Sequence, residues 1–447
     1  MTTVTSPEKR RGIVSALERY FLFESLETNW RTEILAGFTT FITMAYIVFV
    51  NPAILHETGM PIAAVTAATC CCAALGSILM GAFANYPIAM APGMGLNAYF
   101  TYTVVKHMGV PWQTALGAVF LSGTIFLLLT AGGIRQRLMS AIPHELHAAV
   151  AAGIGLFIAF IGLHNAGIIV SDRATLVALG NLRNPQTVLA IFGLLLIAVL
   201  QVFRVRASML IGIIGTTLTG WAFSLVHWQP QSYSISDITA TALKLDIRGA
   251  LHVGAFEIIF VFLFVDLFDN IGTLVAVSKK AGLIDAQHRI ARLNRIFFAD
   301  ATATIAGSLT GTSTVVSYIE STAGVAAGGR SGVTAIVTGL LFVVALFVAP
   351  LVGAIPTAAT SPALIIVGGL MLSSISEIPW SDPLVAFPAF LTLVTIPLTY
   401  SIATGLSFGM IAFAVLRIFS GRFRWKDWLL YVLAALFLLR FFYMARG

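Results

Sequence analysis

From Ile34 onward the chain alternates long apolar runs with short polar breaks. A run of roughly 20 apolar residues crosses the ~30 Å hydrocarbon layer of a bilayer as a helix. The pattern predicts helical spans at 34–55, 62–85, 112–132, 146–165, 186–203, 208–227, 252–276, 294–309, 331–350, 362–376, 384–398 and 402–419. Two further segments, 91–105 (APGMGLNAYFTYTVV) and 311–327 (GTSTVVSYIESTAGVAA), mix glycine, small hydroxyls and a central polar residue, and each closely follows another span. They predict broken spans, because irregular backbone at membrane depth is tolerated only where protein or a polar cavity satisfies its hydrogen-bonding groups.

Counting both broken segments, the chain reads as an all-α protein of fourteen crossings in which each broken segment is the third span of a set of seven. Seven is odd, so the two sets run in opposite directions through the membrane. Short, glycine-interrupted segments at matching positions of an inverted repeat are a sequence pointer to a transporter binding site.

Lys and Arg placement tests this arrangement. With the N-terminus inside, nineteen basic residues fall on the inner side, among them Lys9, Arg10, Arg11, Arg135, Arg137, Arg204, Arg206, Lys279, Lys280, Arg289, Arg424 and Lys426. Outside fall only Lys106, Arg173, Arg183, Lys244 and Arg248. The last apolar stretch, 427–444, suits either another crossing or a helix lying at the interface, given Arg440 near its end and the flanking Trp425 and Trp428.

Composition agrees with a multi-pass membrane protein. Of the 447 residues 58% are hydrophobic and only 10% charged, with a mean hydropathy of +0.92, whereas an ordinary soluble domain is about 25% charged. The first thirty residues are rich in charge and lack the apolar core of a secretory signal. The net charge of +7 is dispersed over loops, with no basic domain to grip a nucleic acid. Cys70, Cys71 and Cys72 are adjacent in an apolar run, where no disulfide framework is expected.

The acids inside the apolar spans are few and clustered: Asp266 and Asp269 in FLFVDLFDNIGT, Asp300 in FFADATATIAG and Glu320 in SYIESTAG. A mid-span carboxylate costs about 2.5–3.5 kcal/mol on insertion scales, so such groups mark an ion or substrate path rather than a lipid-facing surface. Asp266 and Asp269 sit at i,i+3 on one helical face, where two carboxylates can address one cavity and take up a proton; the alternative is that one of the two, Asp266 or Asp269, only bonds to backbone of the adjacent broken helix. Glu320 lies within the second broken segment and can accept N–H donors of a heterocycle, while freed amides of Gly324, Thr312 or Ser313 contact its carbonyl oxygens. Asn97 in GMGLNAYF carries both donors and an acceptor, suiting a base edge, or else bridges the broken helix to its neighbour. Asp300, among small residues that permit close packing, is equally a proton site or a structural link. His144, His147, His227, His252 and His288 lie in loops or at span ends. There is no P-loop, HExxH or Cys-His metal spacing, so neither catalytic residues, a metal nor a cofactor is expected, and an ATP-driven pump is disfavoured.

At FESLETNWRTEILAGFTTFITMAYIVFVNPAIL, GMGLNAYFTY, FVDLFDNIGTL and YIESTAGVAAGGRSGVTA the chain resembles the AzgA-like purine permeases of the nucleobase:cation symporter-2 superfamily, over about residues 23–420. The resemblance implies the uracil-permease-like fold, with short strands at broken spans three and ten and the base held between them. It implies a cytoplasmic segment 1–33, a core domain from 34–132 and 252–350, a gate domain from 145–227 and 356–420, and a C-terminal segment 421–447. By position, Asp269 and Glu320 match the carboxylates that face the base, Asn97 the span-three amide, and Asp266 a second span-eight acid in proton-linked transport. The implied partners are a purine nucleobase, protons and the lipid bilayer of a bacterial inner membrane, with homodimers forming through the gate domain. The GMGLN and LFD forms look more like hypoxanthine and guanine carriers, although some relatives with the asparagine also accept adenine. A sulfate or anion carrier of the same architecture, a nucleobase facilitator without proton coupling, and a channel are the competing readings.

Overall fold

The computed structural model describes residues 12–133, 144–226, 235–252, 256–284, 290–422 and 428–444. Lys9, Arg10, Arg11, Arg135, Arg137, Arg289, Arg424, Trp425 and Lys426, and His227 and His288, lie outside the described residues.

Helices occupy the predicted apolar runs. In chain order they are α1 (Ile13–Tyr20), α2 (Trp30–Met44), α3 (Ile47–His56), α4 (Ile62–Leu79), α5 (Met94–Ala98), α6 (Trp112–Ala131), α7 (His144–Asn165), α8 (Pro185–Val202), α9 (Ser208–Ala222), α10 (Phe256–Ala281), α11 (Leu293–Thr310), α12 (Ser321–Ala326), α13 (Gly332–Ala345), α14 (Thr357–Met371), α15 (Pro383–Thr399), α16 (Ile402–Phe419) and α17 (Trp428–Met444). Polar residues at the breaks start several of them. Asn29, Asn184, Ser331, Asp382 and Ser401 each accept a backbone N–H of the first turn, and Pro185 and Pro383 occupy first-turn positions where no amide is needed.

Among the described residues, eight helical stretches are long and apolar enough to cross a membrane, including α2 with α3 as one stretch, Trp30–His56. The α9, α13 and α15 helices are shorter but apolar. The charged α11 and the two broken segments belong to neither set.

Packing divides the helices into two groups. In one, α13 lies on α2 and α4, α11 on α4 and α6, and α10 on α6. In the other, α7 lies on α14 and α15, α8 on α9 and α14, and α15 on α16. The α17 helix packs along α16, burying Leu430, Leu433, Ala434 and Phe437. Close approach in the first group is permitted by paired glycines. A β-carbon at Gly81 would strike the Gly332 carbonyl oxygen, and one at Gly332 would strike that of Gly81.

The two broken segments meet in the middle of the first group. Strands β1 (Met90–Pro92) and β4 (Val315–Ser317) are wholly buried and pair antiparallel, Met90 opposite Ser317, Ala91 opposite Val316 and Pro92 opposite Val315. The ladder is extended by Gly93 N–H to Thr314 C=O (2.9 Å) and Tyr318 N–H to Ala89 C=O (3.0 Å). A two-stranded sheet leaves each outer edge unpaired, and at this depth every such group needs a partner. Side-chain hydroxyls supply them in matching fashion. Ser77 on α4 accepts from Met90 N–H (2.9 Å) and donates to Met90 C=O (3.2 Å). Thr304 on α11 accepts from Val315 N–H (3.3 Å) and donates to Val315 C=O (3.1 Å). Each hydroxyl comes from the helix just before its own strand, which is the relation an inverted repeat produces.

Three features were not anticipated. The first span breaks at Ala45–Tyr46, between α2 and α3. A hairpin of β2 (Ile169–Asp172) and β3 (Leu176–Leu179) fills the connection after α7; in its turn the backbone amides of Thr175 and Ala174, and the Thr175 hydroxyl, hold the Asp172 carboxyl below its usual range. Buried Glu33 accepts from Arg330 N–H (2.9 Å), Ser331 N–H (3.1 Å) and the Thr28 hydroxyl (2.7 Å), tying the start of α2 to the start of α13.

Removing either hydroxyl clamp leaves a buried strand edge unmet, at a cost of about 1–3 kcal/mol. Ser77→Ala and Thr304→Ala are each expected to lower the apparent melting temperature of the detergent-purified protein, and the double variant to lower it further. Unchanged melting in all three would remove the clamps from the account of stability.

Candidate functional site

The broken segments deliver two short helices to one place. Pro92 has no N–H to continue a ladder, and Gly93 stays extended (φ −74°, ψ 121°) to start α5. On the other side Glu320 immediately precedes α12. Asp269 reaches toward this junction from α10, its Oδ2 lying 3.7 Å from where a β-carbon on Gly93 would stand. Asp300 is tied to the same region through Asn270, which also holds Ser317 of β4. Glu320 Oε1 accepts from the Tyr46 hydroxyl (2.6 Å), which is presented by the break in the first span. The Tyr318 hydroxyl donates to Pro92 C=O (2.5 Å), closing the strand pair over the same junction.

Asp266, one turn before Asp269, is fully buried and has a different environment. The Asn270 side-chain amide donates to Asp266 Oδ1 (2.8 Å) and to Asp300 Oδ1 (2.8 Å), and its Oδ1 accepts from Ser317 N–H (2.9 Å). One amide thus joins two acids on α10 and α11 to the backbone of β4. The i,i+3 pair shares a face, but Asp266 is turned into a polar network between helices while Asp269 is turned toward the strand junction.

Asn97, Thr312 and Ser313 come together in a second network, all fully buried. The Asn97 amide donates to Asn51 Oδ1 (2.5 Å), and the Ser313 hydroxyl donates to Asn97 Oδ1. Asn51 in turn donates to the hydroxyls of Thr69 (2.7 Å) and Thr312 (3.1 Å). The Thr312 amide is bonded to Gly307 C=O (2.9 Å). Gly324 faces away from this cluster: a β-carbon there would meet Thr40 and Ala36 of α2, so its lack of a side chain lets α12 lie against the first span.

Asn51, Asn270 and Tyr46 carried no role in the reading of the sequence. The available signal was the same one that singled out the acids, since an amide inside an apolar span is costly unless paired. Asn51 in FVNPAIL and Asn270 in LFDNIG both met that description.

A third polar cluster links the two helix groups at one end of the bundle. Glu57, after α3, accepts from the Tyr102 hydroxyl (2.8 Å) and from the Asn165 amide (3.2 Å), and pairs with Lys106. The Thr103 hydroxyl donates to Tyr400 C=O. A cavity of about 160 Å³ lies here, lined by Glu57, Tyr102, Lys106, Ile161, His164, Asn165 and Tyr400.

The arrangement of the chain as a whole is similar to that of solved transporters. The transmembrane domain of the cyanobacterial bicarbonate transporter BicA superposes with a TM-score of 0.66 at 14% identity, covering 84% of this chain and 97% of that one. Murine Slc26a9, an anion transporter in the inward-facing state, gives 0.64 at 13% identity, covering 95% and 74%. These likenesses establish the fold. In sequence, residues 31–408 match the family model Xan_ur_permease, described as a permease family. The chain belongs to this permease family. It is 50% identical to the putative permease MJ0326 of Methanocaldococcus jannaschii, over 97% of this chain and 100% of that one. It is 44% identical to the adenine permease AdeP of Escherichia coli, covering 95% of each, and 44% identical to the guanine/hypoxanthine permease PbuG of Bacillus subtilis, covering 96% and 100%. This permease is an integral multi-pass membrane protein and not an enzyme.

Loss of the amide at Asn270 would leave two buried acids and the Ser317 N–H without the group that joins them, each unmet group costing about 1–3 kcal/mol. Asn270→Leu is expected to reduce the amount of folded permease in the membrane sharply, by fluorescence-detected size exclusion. Wild-type amounts and wild-type melting would show that the network is dispensable.

Proposed function

We propose that this permease imports purine nucleobases by proton symport, with hypoxanthine and guanine as its main cargo and adenine accepted less well. The observation that carries the proposal is that Asp269 lies against the Gly93 turn into α5, the helix that bears Asn97, while Glu320 stands at the start of α12 on the other side of the β1–β4 pair. Carboxylates accept the N–H groups of a flat heterocycle, the amide meets its polar edge, and Tyr46 holds Glu320 in place. The names of the relatives, guanine/hypoxanthine and adenine permeases, support the same class of cargo. An anion carrier of this fold is the second reading, but acids from α10, α11 and the start of α12 would repel its cargo.

Protons enter the scheme through the buried acids. Asp266 and Asp300 share the Asn270 amide, which is itself bonded to the strand that leads to Glu320. Charge on this pair is therefore felt where the base binds. The first helix group acts as the core domain and the second as the gate. The core slides or rocks against the gate in alternating access, with the N-terminus on the cytoplasmic side of the inner membrane. The cluster of Glu57, Tyr102, Lys106, Asn165 and Tyr400 then lies on the outer side and closes it.

Asp269→Asn and Glu320→Gln are each expected to cut uptake of labelled hypoxanthine by about 10-fold or more, the scale of one charge-assisted hydrogen bond, with the protein still in the membrane. A protonophore is expected to collapse wild-type uptake. Undiminished uptake in a variant would remove that residue from the site, and protonophore insensitivity would leave a facilitator.

Outer closure is tested by accessibility. In a background with Cys70, Cys71 and Cys72 replaced by alanine, Ile161→Cys is expected to react faster with a membrane-impermeant maleimide once Asn165→Ala is added. An unchanged rate would exclude Asn165 from the closure.

A further inference from the structure

The hydrogen bonds around Asn97 can be oriented without ambiguity, starting from a backbone carbonyl. Side-chain amides are ordinarily assigned from their surroundings, because oxygen and nitrogen look alike. Here the chain of partners begins at Val65 C=O, which has no hydrogen to give. The Thr69 Oγ1 lies 2.6 Å from it, so the Thr69 hydroxyl hydrogen points at Val65. Asn51 lies 2.7 Å from the same Oγ1. With the hydroxyl hydrogen already directed elsewhere, that Asn51 atom must be the donating nitrogen. Its oxygen therefore faces Asn97, at 2.5 Å. Asn97 must then present nitrogen to Asn51 and oxygen to Ser313, whose hydroxyl donates to it. All four side chains are fully buried, so no bulk water is at hand to scramble the order.

The consequence for Asn97 is a fixed polarity. One N–H goes to Asn51 and the oxygen to Ser313, leaving the second N–H as the donor the amide can offer. Resting on the reading of the site as a purine site, we propose that Asn51, anchored by Thr69, is a specificity-determining positioning residue. It holds Asn97 as a hydrogen-bond donor toward the 6-position of the purine. An oxopurine carries a carbonyl acceptor there and an adjacent ring N–H for a carboxylate. Adenine carries an amino donor at the same position, which meets the Asn97 N–H donor to donor. A buried polar group left unmatched discriminates more strongly than a missing apolar contact.

Thr69 sets the direction, so removing its oxygen releases the whole chain. In Thr69→Val, Asn51 can turn over and accept from the Thr312 hydroxyl. Asn97 then turns to show oxygen, and the Ser313 hydroxyl rotates to accept. The site would now present an acceptor to the 6-position. A role in packing alone would lower uptake of every purine alike.

The experiment is competition of unlabelled hypoxanthine and adenine against labelled hypoxanthine, in cells without purine permeases of their own, with membrane levels read by immunoblot. It compares wild type, Thr69→Ser, Thr69→Val and Thr69→Ala. Thr69→Ser keeps the hydroxyl and is expected to keep the wild-type ratio of the two affinities. Thr69→Val and the smaller Thr69→Ala, which guards against a packing failure of the first, are expected to shift the ratio toward adenine by about fivefold or more, the worth of one net hydrogen bond. A ratio unchanged within twofold in both, or shifted toward hypoxanthine, overturns the assignment while leaving purine transport standing. Wild-type cells that take up neither base overturn the transport reading itself, and the inference with it.

Discussion

The constraint on which the rest of this structure depends is that two stretches of irregular backbone sit deep in a helix bundle and must have every polar group met. Helices satisfy themselves, but strands of three residues do not. The β1–β4 pair satisfies one edge of each strand. The other edges are met by Ser77, Thr304, Asn270 and Ser321, the last through its hydroxyl to Ala89 N–H at 3.0 Å. Because these partners come from α4, α10, α11 and α12, the sheet cannot form without the helices, and the helices cannot take this arrangement without the sheet. The short helices are aimed by the same bonds, so the position of any group on them is set by the clamps.

Within that frame the polar residues divide into two kinds. One kind is wholly internal: Asn51, Asn270 and Glu33 bond to groups from helices distant in sequence and fix geometry. The other kind faces the junction itself: Asp269 beside Gly93, and Glu320 held by Tyr46. The two are coupled, since Asn270 binds both the acids and the strand, and Asn51 binds Asn97.

The fold alone does not choose a cargo. The bicarbonate and anion transporters named above share it at 13–14% identity. In this chain, acids from α10, α11 and the start of α12 lie around the place where the interrupted spans meet. The family membership and this clustering bear on different questions, one on architecture and descent, the other on what kind of solute is tolerated.

Much of this was legible in the amino-acid sequence. Apolar runs bounded by Asn, Ser, Asp and Pro marked the helices to within a few residues, and the glycine-rich, hydroxyl-rich segments at 91–105 and 311–327 marked the breaks. Hydropathy and capping are local properties, so a linear reading captures them. The acids stood out because carboxylates are rare in apolar spans. The break at Ala45–Tyr46 and the hairpin after α7 were not legible, because neither disturbs hydropathy enough to register. By itself, then, the sequence determined the membrane class, the span positions, the two interruptions and the short roster of polar groups inside. Only the tertiary structure decided which of those groups bond to one another: that Asp266 turns to Asn270 and Asp300 while Asp269 turns to the junction, that Gly324 serves packing against α2, and that Asn97 is oriented by Asn51 and Thr69. The physical reason is that hydropathy is a property of neighbours along the chain, whereas donor and acceptor pairing joins residues brought together from different helices and exists only once the bundle has closed.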